Sequence, residues 1–224
     1  MLKQFACAAL ALSTLSCSSS YLIHVDAVGA LFKEQEPLSL DVVKSSEVDL
    51  LSVLIDDRPF SNVALAFIEQ SKRKWMSNDG VLLIEENGRL VRTIGFSISL
   101  VHSFSPQKDP LIDPQSISSL TKWHRRVDVD NGQYGLELLS TFRLEPGASI
   151  ELFDNHLDVF VVFEDIHLGS EETLLFTDRG WTNIYWFHTV SGELVKSSQK
   201  FHPDGDNITS VYASRVARAL NKVE

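Results

Sequence analysis

Tight-turn signals recur along this chain between runs of β-branched, aliphatic and aromatic residues, and that pattern restricts it to antiparallel β architecture. Asn78-Asp79-Gly80 and Glu86-Asn87-Gly88 supply the positive-φ positions that short hairpins require, and Asp56-Asp57-Arg58-Pro59 supplies another turn. The runs between them alternate with period two, as in Leu51-Ser52-Val53-Leu54-Ile55, so strands are expected at 51–55 and 63–69. The same reading places strands at 127–129, 136–144, 149–153, 159–166, 173–178, 183–189 and 193–201. Short helices are expected at both ends. One covers 21–32, and an amphipathic one covers 207–222 with Ile208, Val211, Tyr212, Val216 and Leu220 near one face. The fold class is therefore mainly β, with antiparallel sheets forming a sandwich or two barrel-like units. Asn87-Gly88-Arg89-Leu90-Val91-Arg92-Thr93 and Ser191-Gly192-Glu193-Leu194-Val195-Lys196-Ser197 echo each other, after Trp75 and Trp186 respectively. Either a duplicated β unit or the generic likeness of hairpins accounts for that.

The first 17 residues carry a different signal. Lys3 precedes an apolar run from Phe5 to Leu15 and then small polar residues, which is the architecture of a secretory signal peptide, 1–16. The run is well short of the ~20 residues a membrane-spanning helix needs. Thr14-Leu15-Ser16-Cys17 resembles the lipobox of bacterial lipoproteins, with Thr14 where Leu is usual. That resemblance implies cleavage before Cys17, lipidation of its sulfur and a membrane tether at 17–20. An ordinary signal peptide cut a few residues later is the alternative. By the same resemblance, Ser18 after the cysteine implies sorting to the outer membrane of a Gram-negative cell, on its periplasmic side.

Beyond the tether, the chain divides into a first β-rich half (21–104), a proline-containing connection (105–119) and a second β-rich half (120–224). The connection holds three of the seven prolines and little periodicity, so it is expected to run over the surface. The formal net charge of -10 and the absence of any basic stretch exclude nucleic acid as an expected partner. The two cysteines, Cys7 and Cys17, both lie in the N-terminal stretch, so the body has no thiol for a disulfide, a cysteine zinc site or a nucleophile.

Little in the body signals chemistry. The seven histidines lack metal-ligand spacing, and the only weak metal candidate is Asp154, His156 and Asp158, so neither metal nor cofactor is expected. No nucleophile elbow, phosphate loop or dinucleotide fingerprint is present. Asp128, Asp130, Glu164 and Asp165 are the acids from which a glycoside-cleaving pair would have to come, although a solvated carboxylate is the default in so acidic a chain. Trp75, Trp123, Trp181, Tyr185 and Trp186 are the candidate glycan or partner contacts, because aromatic faces stack on sugar rings. For Trp75 a place in the core or at a sheet surface is favoured instead.

Lys74-Trp75-Met76-Ser77-Asn78-Asp79-Gly80-Val81-Leu82-Leu83-Ile84, continuing through residues 87–93, resembles the YjbF/GfcB family of group 4 capsule lipoproteins. Asn183-Ile184-Tyr185-Trp186, residues 192–197 and Gln199 look like the family's final hairpin. The resemblance implies a non-enzymatic periplasmic accessory in assembly or secretion of an exopolysaccharide or capsule, with other envelope proteins and the polysaccharide itself as partners. It brings no catalytic residues with it. The rival expectation is a periplasmic polysaccharide-modifying enzyme, which requires a cleft holding two close acids with displaced pKa values.

Overall fold

A computed structural model describes residues 38–169 and 180–221. The signal peptide, Cys17, the tether, the helix expected at 21–32 and the strand expected at 173–178 lie outside the described residues.

The described chain opens with helix α1 (Leu40–Ser45), where the Ser39 hydroxyl caps the first turn by accepting from Val42 N. Five strands follow as a meander: β1 (Leu50–Ile55), β2 (Ser61–Glu69), β3 (Lys72–Met76), β4 (Leu82–Glu86) and β5 (Arg89–Ile94). A second meander contains β6 (Leu100–Phe104), β7 (Lys122–Val129), β8 (Leu136–Leu152), β9 (Asn155–Leu168), β10 (Trp181–His188) and β11 (Leu194–Gln199). Strand β12 (Ile208–Val211) and helix α2 (Ala213–Leu220) close the described chain.

All twelve strands belong to one sheet, in the order β5-β4-β3-β2-β1-β12-β11-β10-β9-β8-β7-β6. Neighbours are consecutive in the chain except for β12, which pairs antiparallel with β1 and joins the two meanders. The sheet curls until its edges, β5 and β6, meet, and there Leu100 N donates to Thr93 Oγ1 at 2.8 Å. The mainly β, antiparallel expectation with two short helices holds; the sheet is a single, nearly closed barrel-like one. The two halves read from the sequence are two arcs of it, and the connection at 105–119 joins neighbouring strands β6 and β7. The echoed hairpins, β4–β5 and β10–β11, sit six places apart in the strand order. Trp75 lies on β3, before its hairpin, and Trp186 lies inside its own on β10, so the aromatic part of the echo occupies different places.

The strand expected at 127–129 begins at Lys122, and two further boundaries differ from expectation for local reasons. The segments 136–144 and 149–153 form one continuous strand, because Pro146-Gly147 is absorbed as an irregularity between Glu145 and Ala148 instead of breaking the pairing with β9. The closing helix is shorter than its apolar periodicity suggests, since Ile208–Val211 is strand β12. Two of its four residues, Ile208 and Val211, are β-branched aliphatics, and pairing on both sides outweighs helical spacing.

Alternation sorts side chains between two cores. On β9, Phe160, Val162 and Ile166 enter the main interior cluster with Val53, Trp75 and Leu83. Leu157, Val159 and Val161 face the other way, into a second cluster with Val195, Val216 and Ala219. Helix α2 packs on the sheet at β1 and β11, and its Val216 and Ala219 join the cluster that receives the outer side chains of β9, which explains why 159–166 reads as a nearly unbroken apolar run.

One glycine is held by a close approach. Asn87 and Gly88 both have positive φ, 53° and 84°, as a type I′ turn requires. A Cβ at Gly88 would lie 2.4 Å from Leu194 Cδ2. Gly88→Ala is therefore expected to cost roughly 1–2 kcal/mol from backbone strain alone, seen as a melting temperature lower by roughly 2–8 °C. An unchanged melting temperature would contradict this packing.

Candidate functional site

The turn that brings Arg89 onto β5 directs a long cation into the barrel, and the interior is built to receive it. Glu164 occupies an inward position on β9, between Val162 and Ile166, and is 0% exposed. Arg125 is inward on β7 with Trp123 and Val127. The Glu164 carboxylate accepts from Arg89 Nη1 at 2.6 Å, Arg125 Nη1 at 2.9 Å, Ser140 Oγ at 2.7 Å and the Tyr185 hydroxyl at 3.1 Å. Arg89 makes a two-pronged contact with Asp109, through Nε at 2.6 Å and Nη2 at 3.1 Å. Both guanidiniums also lie against the Trp123 ring, 4.3 Å and 5.0 Å from its centroid.

Two cations and two carboxylates balance here, the condition under which buried charge is tolerated. Burial pushes the Glu164 carboxyl up, but Arg89 and Arg125 outweigh it and hold the pKa at about 2. Burial likewise disfavours charge on both arginines. It lowers the pKa of Arg125, whereas Asp109 and Glu164 together raise that of Arg89 well above the usual value. Burial is also the main reason that the Tyr185 hydroxyl is pushed up, so it stays protonated.

Gln199 completes the arrangement by crossing from β11 to β5. Its amide donates to Gly88 O at 2.9 Å and accepts from Leu90 N at 3.0 Å. Asn183 Oδ1 accepts from Lys200 N at 2.8 Å. The Asn87-Gly88-Arg89 motif and the Asn183, Tyr185 and Gln199 motif, on which the family resemblance rested, therefore meet inside the barrel.

Where β5 and β6 face each other, a cleft of about 280 Å3 opens above Arg89. Its lining includes Asn87, Phe104, Gln107, Asp109, Ile112 and Trp123. Asp109 also caps the short 3-10 turn Pro110–Ile112 by accepting from Leu111 N at 2.9 Å. The surface connection after β6 thus forms one wall of the cleft.

The five aromatic candidates do not share a groove. Trp75 is 1% exposed and meets Tyr212 edge-on at 6.1 Å, as its core reading anticipates. Tyr185 is buried in the ion network. Trp181 packs against the main cluster and donates to Lys200 O at 2.8 Å. Trp186 lies with the second cluster, on the other face of β10, with the Lys196 ammonium 5.1 Å from its ring centroid. Trp123 alone of the five lines the cleft. Sequence reasoning missed Phe104, Asp109 and Arg125; the available signal was a charged residue at the inward parity of an otherwise apolar strand, at Arg125 and Glu164.

The four carboxylates are dispersed as well. Asp128 accepts from Gly135 N, Asp130 from Ser99 N and Asp165 from Thr182 Oγ1. Glu164 is a fixed anion at neutral pH, the opposite of the raised pKa a general acid needs. Among the described residues no three of His, Cys, Asp and Glu converge as metal ligands, and His156 and Asp158 are exposed on β9.

The fold and its interior define a barrel-like β protein with a charge-balanced core and a small cleft at the seam of the sheet. Residues 24–211 match the family described as "Group 4 capsule polysaccharide lipoprotein gfcB, YjbF", and the chain belongs to that family. It is 25% identical over 193 residues to the uncharacterized lipoprotein GfcB of Escherichia coli K12, covering 84% of this chain and 87% of that one. It is 27% identical over 146 residues to the uncharacterized lipoprotein YjbF of the same organism, covering 63% and 64%. The crystal structure of the hypothetical lipoprotein YmcC from Escherichia coli K12 superposes with a TM-score of 0.72 at 21% identity, over 88% of this chain and 96% of that one, which shows the shared fold.

Proposed function

We propose that this protein is an outer-membrane lipoprotein, anchored through Cys17 and acting on the periplasmic side as a non-enzymatic accessory in the assembly or secretion of an exopolysaccharide or capsule. Membership of a capsule polysaccharide lipoprotein family is the observation that carries the reading. The lipobox-like Thr14-Leu15-Ser16-Cys17 supports the anchor. Among the described residues no helix is long and apolar enough to cross a membrane. Acyl chains on Cys17 would contribute about 0.8 kcal/mol per buried methylene, enough for several chains together to hold firmly without help from basic charge. The non-enzymatic part is supported by the interior, where Glu164 is locked between two arginines and the remaining candidate acids are scattered.

The test compares wild type with Cys17→Ala in a Gram-negative host that lacks the native gene and makes the polymer. Wild type is expected to gain acyl mass, sediment with outer membrane and restore surface polymer, whereas the variant remains unacylated and restores little. Equal masses and a soluble location for both would remove the anchor. Normal surface polymer in the deletion strain itself would remove the accessory role.

A further inference from the structure

We propose that the cleft between β5 and β6 binds one neutral sugar residue of a polysaccharide, with Phe104 as the stacking surface. This rests on the accessory reading and gives it a point of contact with the polymer.

The cleft lies between strands that meet side by side without a β ladder. An added peptide strand is the obvious rival occupant of such a place, but several of the main-chain groups it would need are taken. Gln199 occupies Gly88 O and Leu90 N, and Thr93 Oγ1 occupies Leu100 N. What faces the space is side-chain chemistry. Phe104 and Ile112 are each 57% exposed and offer apolar surface at the rim. Trp123 is 6% exposed and contributes part of its ring to the lining, whereas its Nε1 is enclosed, as that of Trp75 is in the core. Asn87, Ser103 and Gln107 also line the cleft and carry groups of the kind that hydrogen-bond sugar hydroxyls.

Charge selects against acidic sugars. Arg89 is the cation among the lining residues, and its guanidinium is already shared between Asp109 and Glu164. Glu86 and Asp109 leave the walls negative, so a uronate carboxylate would enter a repulsive site with no cation to spare. A volume of about 280 Å3 lies at the small end of ligand cavities and suits one pyranose ring, with its neighbours in the polymer outside.

The experiment uses full-length lipidated protein in detergent micelles with 15N-labelled tryptophan. Its four indole N–H signals are resolved, and that of Trp123 is assigned with Trp123→Phe. The probes are cellobiose, N,N′-diacetylchitobiose, digalacturonate and an eight-residue alternating Val/Thr peptide. Saturable movement of the Trp123 signal by a neutral disaccharide, with digalacturonate weaker, is the expected result. The exposed Phe104 can be truncated without disturbing the core, and Phe104→Ala is expected to weaken binding about three- to tenfold. No movement of Trp123 with either neutral sugar, movement undiminished in Phe104→Ala, or tighter binding of digalacturonate or the peptide overturns the assignment. Loss of surface polymer on gene deletion, with no sugar response at Trp123, sinks the cleft and spares the accessory role. A sugar response with unchanged polymer does the reverse.

Discussion

Replacing Glu164 with Gln is expected to destabilise the protein by about 3–5 kcal/mol at neutral pH, among the largest effects of any single substitution in the barrel. The change is nearly isosteric, so no cavity explains the loss. It leaves Arg89 and Arg125, 2% and 4% exposed, with only Asp109 between them. The effect has a pH signature. Glu164 titrates near its ordinary value of 4.5 when unfolded and at about 2 when folded. A carboxylate with a depressed folded pKa contributes stability that is complete above the unfolded value and is lost as pH falls through the folded one. The contribution is about 3 kcal/mol, and it fades between about pH 4.5 and about pH 2. Urea melts of wild type and Glu164→Gln should therefore lie far apart at about pH 7 and converge as the wild-type carboxylate is protonated. Adding Arg125→Met to Glu164→Gln restores charge balance and should recover much of the loss. A gap of under about 1 kcal/mol at neutral pH would mean that the network contributes no more than surface pairs do.

How much of this could be read from the sequence differs sharply between the frame and its contents. Hairpin turns are local, so Asn87-Gly88 and the period-two runs around it suffice to place β4 and β5. Where a local signal pointed the wrong way, tertiary pairing had overridden it: Pro146-Gly147 resembles a turn, yet β8 continues past it along β9, and Ile208 to Val211 fit a helical stripe yet bridge β1 and β11. The closed sheet was not legible, because β12 pairs with β1 from the far end of the chain, Ser52 with Val211. Nor was the ion network. Glu164 stands 75 residues from Arg89 and 39 from Arg125, and in a chain of net charge -10 a carboxylate is by default solvated. The stronger clue was its company on β9, since Phe160, Val162 and Ile166 share its parity. Aromatic residues misled for a related reason: Tyr185 fills the interior, whereas the exposed aromatic at the cleft, Phe104, sits at the end of a five-residue strand with no distinctive pattern.

A second buried charge pair should prove nearly as costly to break, and breaking it should loosen a particular element. Glu85 is 2% exposed on β4, and its carboxylate accepts from Tyr212 OH at 2.6 Å and from Arg215 Nη2 at 3.0 Å. Arg215 also donates to Leu194 O at 3.1 Å, and its guanidinium carbon lies 4.0 Å from the Tyr212 ring centroid. Helix α2 is only eight residues long and has no side-chain N-cap, so its own backbone preference cannot hold it in place. What holds it is this clamp, the Ser214 hydroxyl accepting from Leu50 N at 2.8 Å, and the place of Val216 and Ala219 in the second apolar cluster with Val195. Arg215→Ala removes the cation and leaves the Glu85 charge buried beside one hydroxyl, at an expected loss of about 3–5 kcal/mol. Tyr212→Phe keeps the ion pair and the ring, and should lose only about 1–2 kcal/mol. Hydrogen exchange can locate the damage: in Arg215→Ala, amides of α2 should exchange at a lower free energy than those of β9, whereas in wild type both open only with the whole barrel. If Arg215→Ala costs no more than Tyr212→Phe and α2 stays as protected as β9, apolar packing alone secures the helix against the sheet.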